Sequence, residues 1–137
     1  MKNMKKHLLL FLLPIFFFAC EKDEPKDEQF SLKGKTYSAY AYDHTDPYLG
    51  TTTKVYYVYR FLNNNTAERT ARKNEPHGAL FGNSVDTCIY TLNYPNLEIK
   101  VPSPNGTSTY TKRCEFISEK IFREYNTQGF YEYKLVE

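Results

Sequence analysis

The feature that most restricts the fold of this chain of 137 residues is a hydrophobic alternation with a period of two. Such alternation places every second side chain on one face of an extended strand. Residues 54–61 show it most clearly, and one face of that segment carries Val55, Tyr57, Tyr59 and Phe61. Residues 35–42 are also rich in tyrosine, which favours strands. Hardly any window after Lys33 has the helical period of about 3.6 residues, so the sequence predicts an all-β fold.

Turn-forming residues divide the chain into about eight short strands. Asn93-Tyr94-Pro95-Asn96 and Asn105-Gly106 are strong hairpin signals, whereas residues 74–83 are predicted to form a loop. Residues 66–73 are polar and predict a strand that is exposed on one side. The full set of predicted strands is 35–42, 54–61, 66–73, 85–92, 97–101, 107–117, 120–125 and 130–136.

The short connections favour an antiparallel meander, in which each strand pairs with the next. A meander of eight strands with an aromatic inner face can close into a barrel, which removes the exposed strand edges. A sandwich of two sheets is the alternative.

The first twenty residues resemble an export signal. Lys2, Lys5 and Lys6 precede an apolar run over residues 8–19, and Cys20 follows. Twelve residues extend about 18 Å as a helix, against about 30 Å of bilayer hydrocarbon, so a permanent membrane span is disfavoured. Residues 1–19 are therefore predicted to be a signal peptide.

Phe17 is too large for the small-residue site of the ordinary signal peptidase. Phe17-Phe18-Ala19-Cys20 instead resembles a relaxed lipobox like those of Bacteroidota lipoproteins. The resemblance implies that Cys20 is lipidated and becomes the mature N-terminus. The alternative is an incidental cysteine after an uncleaved leader.

Residues 20–29 are predicted to be the lipidated cysteine and a charged tether, because residues 21–29 contain no apolar side chain. Lys22-Asp23-Glu24 resembles the signal that sends Bacteroidota lipoproteins to the outer face of the outer membrane. A plain linker on a periplasm-facing protein is the alternative.

Cleavage after Ala19 removes three lysines and no acidic residue, which lowers the net charge from +2 to −1. Such a balance offers no electrostatic drive toward nucleic acid. Residues 30–137 are long enough for one domain.

Residues 32–136 resemble a lipocalin-like module. Gly34-Lys35-Thr36-Tyr37 is similar to the Gly-x-Trp element of that fold, with Tyr37 in place of the tryptophan, and Arg123 is the candidate cation to pack on it. The resemblance implies a cavity for a small apolar or amphipathic ligand.

Six tyrosines are candidates to line such a pocket, because a phenol offers both apolar area and a hydrogen-bonding group. They are Tyr37, Tyr57, Tyr59, Tyr90, Tyr131 and Tyr133. The alternative is that they pack the core. The first functional hypothesis is a binding module for a small hydrophobic or amphipathic ligand or a glycan fragment. The second is a structural or interaction lipoprotein of the envelope with a filled barrel.

No residue set predicts catalysis, a metal or a cofactor. Residues 43–46, Asp-His-Thr-Asp, lie in a predicted loop where consecutive side chains diverge, and His77 lies in a predicted exposed turn. Ser84 lacks the G-x-S-x-G frame, and no phosphate loop or zinc spacing occurs.

Cys88 and Cys114 are a candidate disulfide in an oxidising compartment. The meander opposes the bond, because one strand separates the two cysteines and strands two apart are about 9.6 Å from each other. A sandwich, or a crossing at a barrel end, would allow it, so the sequence leaves the disulfide open.

Overall fold

The structure, a computed structural model, describes residues 29–137. The predicted signal peptide, the predicted lipidation site at Cys20 and residues 21–28 of the predicted tether lie outside the described residues. Within residues 29–137, no helix is long and apolar enough to cross a membrane.

The described chain is an all-β barrel of eight antiparallel strands in sequence order. The strands are β1 (Thr36–Thr45), β2 (Thr52–Phe61), β3 (Thr66–Lys73), β4 (Leu80–Asn93), β5 (Asn96–Pro102), β6 (Thr109–Ser118), β7 (Ile121–Asn126) and β8 (Gly129–Leu135). Each strand pairs with the next, and β1 pairs with β8 to close the barrel. The predicted meander is confirmed, its architecture is consistent with a lipocalin-like barrel, and the sandwich alternative is wrong.

The seam between β1 and β8 is short. Tyr37 pairs with Leu135 and Ser38 with Lys134, and the amide of Val136 donates a hydrogen bond of 2.8 Å to the carbonyl of Thr36. These contacts complete the hydrogen bonding of strands that would otherwise have open edges.

The inward face of the barrel carries a cluster of buried rings, here called the ring core: Tyr37, Tyr59, Phe61, Phe116, Phe122 and Tyr133. Phe122 and Tyr133 stack with centroids 4.7 Å apart and planes only 8° from parallel. Tyr37 lies 5.2 Å from Phe122 in a tilted arrangement. Each such pair contributes about 0.5–1.5 kcal/mol beyond the apolar area that it buries.

Residues 29–35 cover one end of the barrel, here called the closed end. Leu32 is buried there, and the ring of Phe30 packs edge-on against Phe116 at 5.1 Å. Tyr37, the second residue of β1, lies next to these residues and is fully buried, and its hydroxyl donates to the carbonyl of Glu119. Tyr37 thus fills the barrel next to its closed end.

Arg123 does not pack on Tyr37, so that expectation is wrong. Its guanidinium donates to Glu132 at 3.2 Å and lies 4.4 Å from the ring centroid of Phe130, on the outer wall. The reason is the strand period. Phe122 points into the barrel, so its neighbour Arg123 must point out.

Two predicted loops are shorter than expected. β4 begins at Leu80, so the loop spans residues 74–79, and Gly82 carries a positive φ of 81° within the strand. Gly78 permits the tight loop, because a Cβ there would overlap the carbonyl oxygen of Lys73. β1 likewise extends to Thr45, so the residues before Asp46 belong to a strand.

Cys88 and Cys114 are free thiols, both buried. They lie on β4 and β6 with β5 between them, as the meander predicted. They are also offset along the strands: Cys114 faces Leu97, whereas Ile89, next to Cys88, faces Lys100. The resulting stagger of about four residues adds about 13 Å to the separation across the sheet, which no disulfide can bridge.

We expect both thiols to resist alkylation in the folded protein. Burial raises the pKa of Cys88 to about 11 and raises that of Cys114 further, so neither forms the reactive thiolate at neutral pH. In a Cys20→Ser variant without reductant, iodoacetamide followed by mass spectrometry should modify neither thiol under native conditions and both in denaturant. Recovery of an unmodified chain in denaturant would mean that the two cysteines are bonded.

Candidate functional site

The structure separates the six candidate tyrosines into two groups. Tyr37, Tyr59, Tyr90 and Tyr133 are buried among other rings and leave no room for a ligand between them. Tyr57 and Tyr131 are only partly buried, and their ring centroids lie 5.4 Å apart. These two tyrosines lie toward the end of the barrel that is opposite to the closed end.

That end, here called the open end, is ringed by the loops at residues 46–51, 74–79, 103–108 and 127–128. Several inward-facing side chains there are partly exposed. Tyr42, exposed to 39%, approaches both Tyr57 and Phe81 with its ring.

Between the ring core and the open end lies a group of charged side chains, here called the polar layer. It consists of Arg69 on β3, Asp86 on β4, Lys112 on β6 and Glu124 on β7. Cross-strand pairing puts each of them on the inner face: Arg69 is opposite Tyr59, Lys112 is opposite Ile99, and Glu124 is opposite Cys114.

Glu124 is the deepest member, with its side chain 1% exposed. The ammonium group of Lys112 donates to one carboxylate oxygen, and the hydroxyl of Tyr59 donates to the other at 2.9 Å. A buried carboxylate is tolerated only when it is paired and hydrogen-bonded. Glu124 therefore depends on both partners.

Arg69 is bound less completely. Its guanidinium carbon lies 4.7 Å from the ring centroid of Tyr57, and its Nη1 is 3.7 Å from a carboxylate oxygen of Asp86, too far for a hydrogen bond. Its Nε has no hydrogen-bond partner, and neither has the hydroxyl of Tyr133. Among residues 29–137, these two atoms are the buried side-chain nitrogens and oxygens left unpaired.

The protonation states of the layer follow from burial. Burial, reinforced by nearby acidic groups, holds the pKa values of Tyr59 and Tyr133 well above the usual value of a phenol, so both keep their protons. Burial opposes the charge on Arg69, but the oxygens of Tyr59, Tyr133 and Glu124 outweigh it and raise the pKa of Arg69. The layer therefore offers neutral phenol donors beside a permanent cation.

The other candidate groups do not converge. The carboxylate of Asp46 accepts hydrogen bonds from the amides of Tyr48 and Leu49, which lowers the pKa of Asp46. The ring of His44 packs against Phe81 at 5.0 Å, and His77 is exposed in the 74–79 loop. Within the described part of the chain, no group of three or more metal-ligating side chains is placed to hold an ion.

Pockets of about 280 to 440 Å³ lie at the closed end and along the outer wall. None of them is lined by Arg69, Lys112 or Glu124.

The polar layer was not predicted from the sequence, although the strand period contains the signal. Phe122 and Glu124 are two residues apart and must share a face, as must Ala67 and Arg69. The polar composition of residues 66–73 favours an exposed strand, and the lipocalin-like resemblance favours Arg123, so neither Arg69 nor Glu124 is predicted to point inward.

Comparison of the chain with known protein families, with curated proteins and with solved structures found no match.

We expect the folded protein to resist tyrosine ionisation until it unfolds in alkali. Burial raises the pKa of Tyr37 to about 12 and those of Tyr59 and Tyr133 well above 10. An unfolded chain loses these protons near pH 10. The raised values therefore stabilise the fold below about pH 10, and this contribution is lost as the pH rises through the folded-state values.

The measurement is the near-ultraviolet absorbance of tyrosinate, followed together with circular dichroism and compared with the same titration in denaturant. Part of the absorbance change should coincide with loss of the β signal. Ionisation of all thirteen tyrosines near pH 10 with the β signal intact would contradict the burial described.

Proposed function

We propose that this protein is a binding module for a short polar ligand, such as a glycan fragment, that enters the open end and rests on the polar layer. One observation carries the proposal: at the base of the open end, Nε of Arg69 is buried without a partner, and Nη1 lies 3.7 Å from Asp86, too far for a hydrogen bond. An unpaired buried polar group costs about 1–3 kcal/mol. A ligand that supplies the missing partners recovers that free energy.

The ring core argues against a long apolar ligand. The centroids of Phe122 and Tyr133 are 4.7 Å apart, and those of Tyr59 and Tyr133 and of Tyr37 and Phe122 are 5.2 Å apart, which are the distances of rings in contact. An acyl chain would have to displace these rings to enter. The amphipathic-lipid version of the ligand is therefore the less favoured one.

The rings at the open end favour a ligand with a flat face. Tyr42, Tyr57 and Tyr131 follow one another with centroid distances of 6.3 and 5.4 Å. A sugar ring presents C–H groups on one face and hydroxyls at its edge, which suit phenol rings above a floor of charged donors and acceptors.

We also propose that the protein is a lipoprotein of the outer membrane, exposed at the cell surface and anchored through Cys20. The support is the sequence of residues 1–29. Gln29 lies beside the pocket at the closed end, with Leu32 and Leu92. A tether that arrives there would turn the open end away from the bilayer, toward free ligand.

The anchoring proposal is tested by replacing Cys20. In cells grown with a labelled fatty acid, the wild-type chain should carry label and a Cys20→Ala variant should carry none, because the thioether to the lipid cannot form. Cys88→Ala is a matched control that should keep the label. Label on the Cys20→Ala protein would refute anchoring at this residue.

An interaction module without a small ligand is the second candidate function. The observation that favours it is that four of the six candidate tyrosines pack the core. On the outer wall, the ring of Tyr40 is half exposed and packs edge-on against Tyr56, with centroids 5.8 Å apart.

Ligand titration distinguishes the two candidates. With isotope-labelled protein, N-acetylglucosamine, glucuronate and decanoate are each titrated while amide shifts are recorded. We expect one of the sugars to shift Tyr57, Arg69 and Tyr131, and decanoate to leave the residues of the ring core unchanged. A Tyr131→Ala variant should weaken sugar binding roughly tenfold, because it loses about 1–1.5 kcal/mol of ring contact.

Tyr40→Ala, on the outer wall, is the control and should bind as the wild type does. If no probe shifts the open-end residues, the binding proposal fails and the interaction module stands. If decanoate shifts the ring core, the ligand is an amphipathic chain instead.

A further inference from the structure

We propose that the ligand carries a small oxyanion, a carboxylate or a phosphate, and that the guanidinium of Arg69 binds it. This inference rests on the proposed function and names the chemistry of the same site. It starts from the hydrogen bonding of one side chain.

Arg69 has five N–H donors, yet no described residue accepts a hydrogen bond from any of them. Its side chain is nevertheless only 17% exposed. Its Nε has left water without receiving a hydrogen bond in return, which is unfavourable. An oxyanion supplies two acceptors with the spacing of the guanidinium fork.

Tyr57 determines which part of Arg69 is available. The guanidinium lies over the Tyr57 ring, with 4.7 Å between its carbon and the ring centroid. The Tyr57 ring therefore covers one face of the guanidinium plane. The N–H groups lie within that plane and remain free to donate. The ring thereby also limits the rotation of the side chain and prepares it for binding.

The charges around the site favour an anion. Among the described residues, the inward-facing charged side chains of this half of the barrel are Arg69, Lys73, Lys112, Asp86 and Glu124, since Lys73 pairs with the inward Val55. Three cations oppose two carboxylates, and the nearby His44 adds no negative charge. One bound monoanion makes the group neutral.

The two carboxylates do not block the site. Both oxygens of Glu124 already accept hydrogen bonds, from Lys112 and from Tyr59. Asp86 is 34% exposed and forms no hydrogen bond with Arg69 at 3.7 Å, so a ligand oxygen displaces it at small cost.

The experiment compares glucuronate with glucose, two sugars that differ mainly in the negative charge of the glucuronate carboxylate. Glucuronate, glucose and inorganic phosphate are titrated into the full chain by calorimetry and by amide shifts. We expect glucuronate to bind at least tenfold more tightly than glucose, and the difference to shrink as salt is added. Tighter binding of phosphate than of glucuronate would identify a phosphorylated ligand as the source of the oxyanion.

Variants then assign the effect to one side chain. Arg69→Met should abolish the preference for glucuronate over glucose, and Arg69→Lys, which keeps the charge but lacks the fork, should reduce it severalfold. Arg113→Met is the matched control, because Arg113 is an exposed residue of the same barrel on the outer face of β6. It should leave the preference unchanged.

The outcomes separate this inference from the proposed function. Equal binding of glucuronate and glucose at the open end would overturn the anion assignment and leave the binding module intact. Absence of binding by every probe would overturn both. If Arg69→Met does not fold, as judged by circular dichroism, the wild-type ligand comparison and the Arg69→Lys variant still decide. An unchanged preference for glucuronate in Arg69→Lys would assign the effect to the positive charge rather than to the fork of the guanidinium.

Discussion

The packing of aromatic rings inside the barrel is the interaction on which the rest of the structure depends. Eight short strands enclose a space that must be filled, and the ring core fills it with large side chains placed at every second position. Phe122 and Tyr133, stacked 4.7 Å apart, join β7 to β8, and Tyr37 extends the contact to β1 at the seam. Strand pairing closes the wall, but ring contacts hold opposite sides of that wall together.

The polar layer exists because the ring core supports it. Tyr59 belongs to both, since its ring packs against Tyr133 at 5.2 Å while its hydroxyl holds the carboxylate of Glu124. Burying such charges is expensive, and well-packed apolar side chains in their place would often be as stable. The fold alone does not require Glu124, Lys112 and an Arg69 without hydrogen-bond partners, which is why function is the better explanation for their position.

The sequence predicted the barrel because strand period and turn chemistry are local properties. Val55, Tyr57 and Tyr59 share a face whatever the rest of the chain does, and short turns leave few arrangements besides a meander. The site was harder to predict because it depends on register between distant strands. Nothing local shows that Arg69 and Glu124 occupy one layer, or that Cys88 and Cys114 are offset along β5, because a register shift at a bulge changes such relations.

The seam between β1 and β8 has a consequence for how the chain could be rearranged. The amide of Val136 meets the carbonyl of Thr36 at 2.8 Å, so the ends of the strand order lie at one point. A short linker there, with new termini in the exposed loop at residues 103–108, would give a circularly permuted chain that keeps every strand pairing. Strand order around this wall is cyclic, and the position at which the polypeptide begins is an attribute of its gene rather than of its architecture.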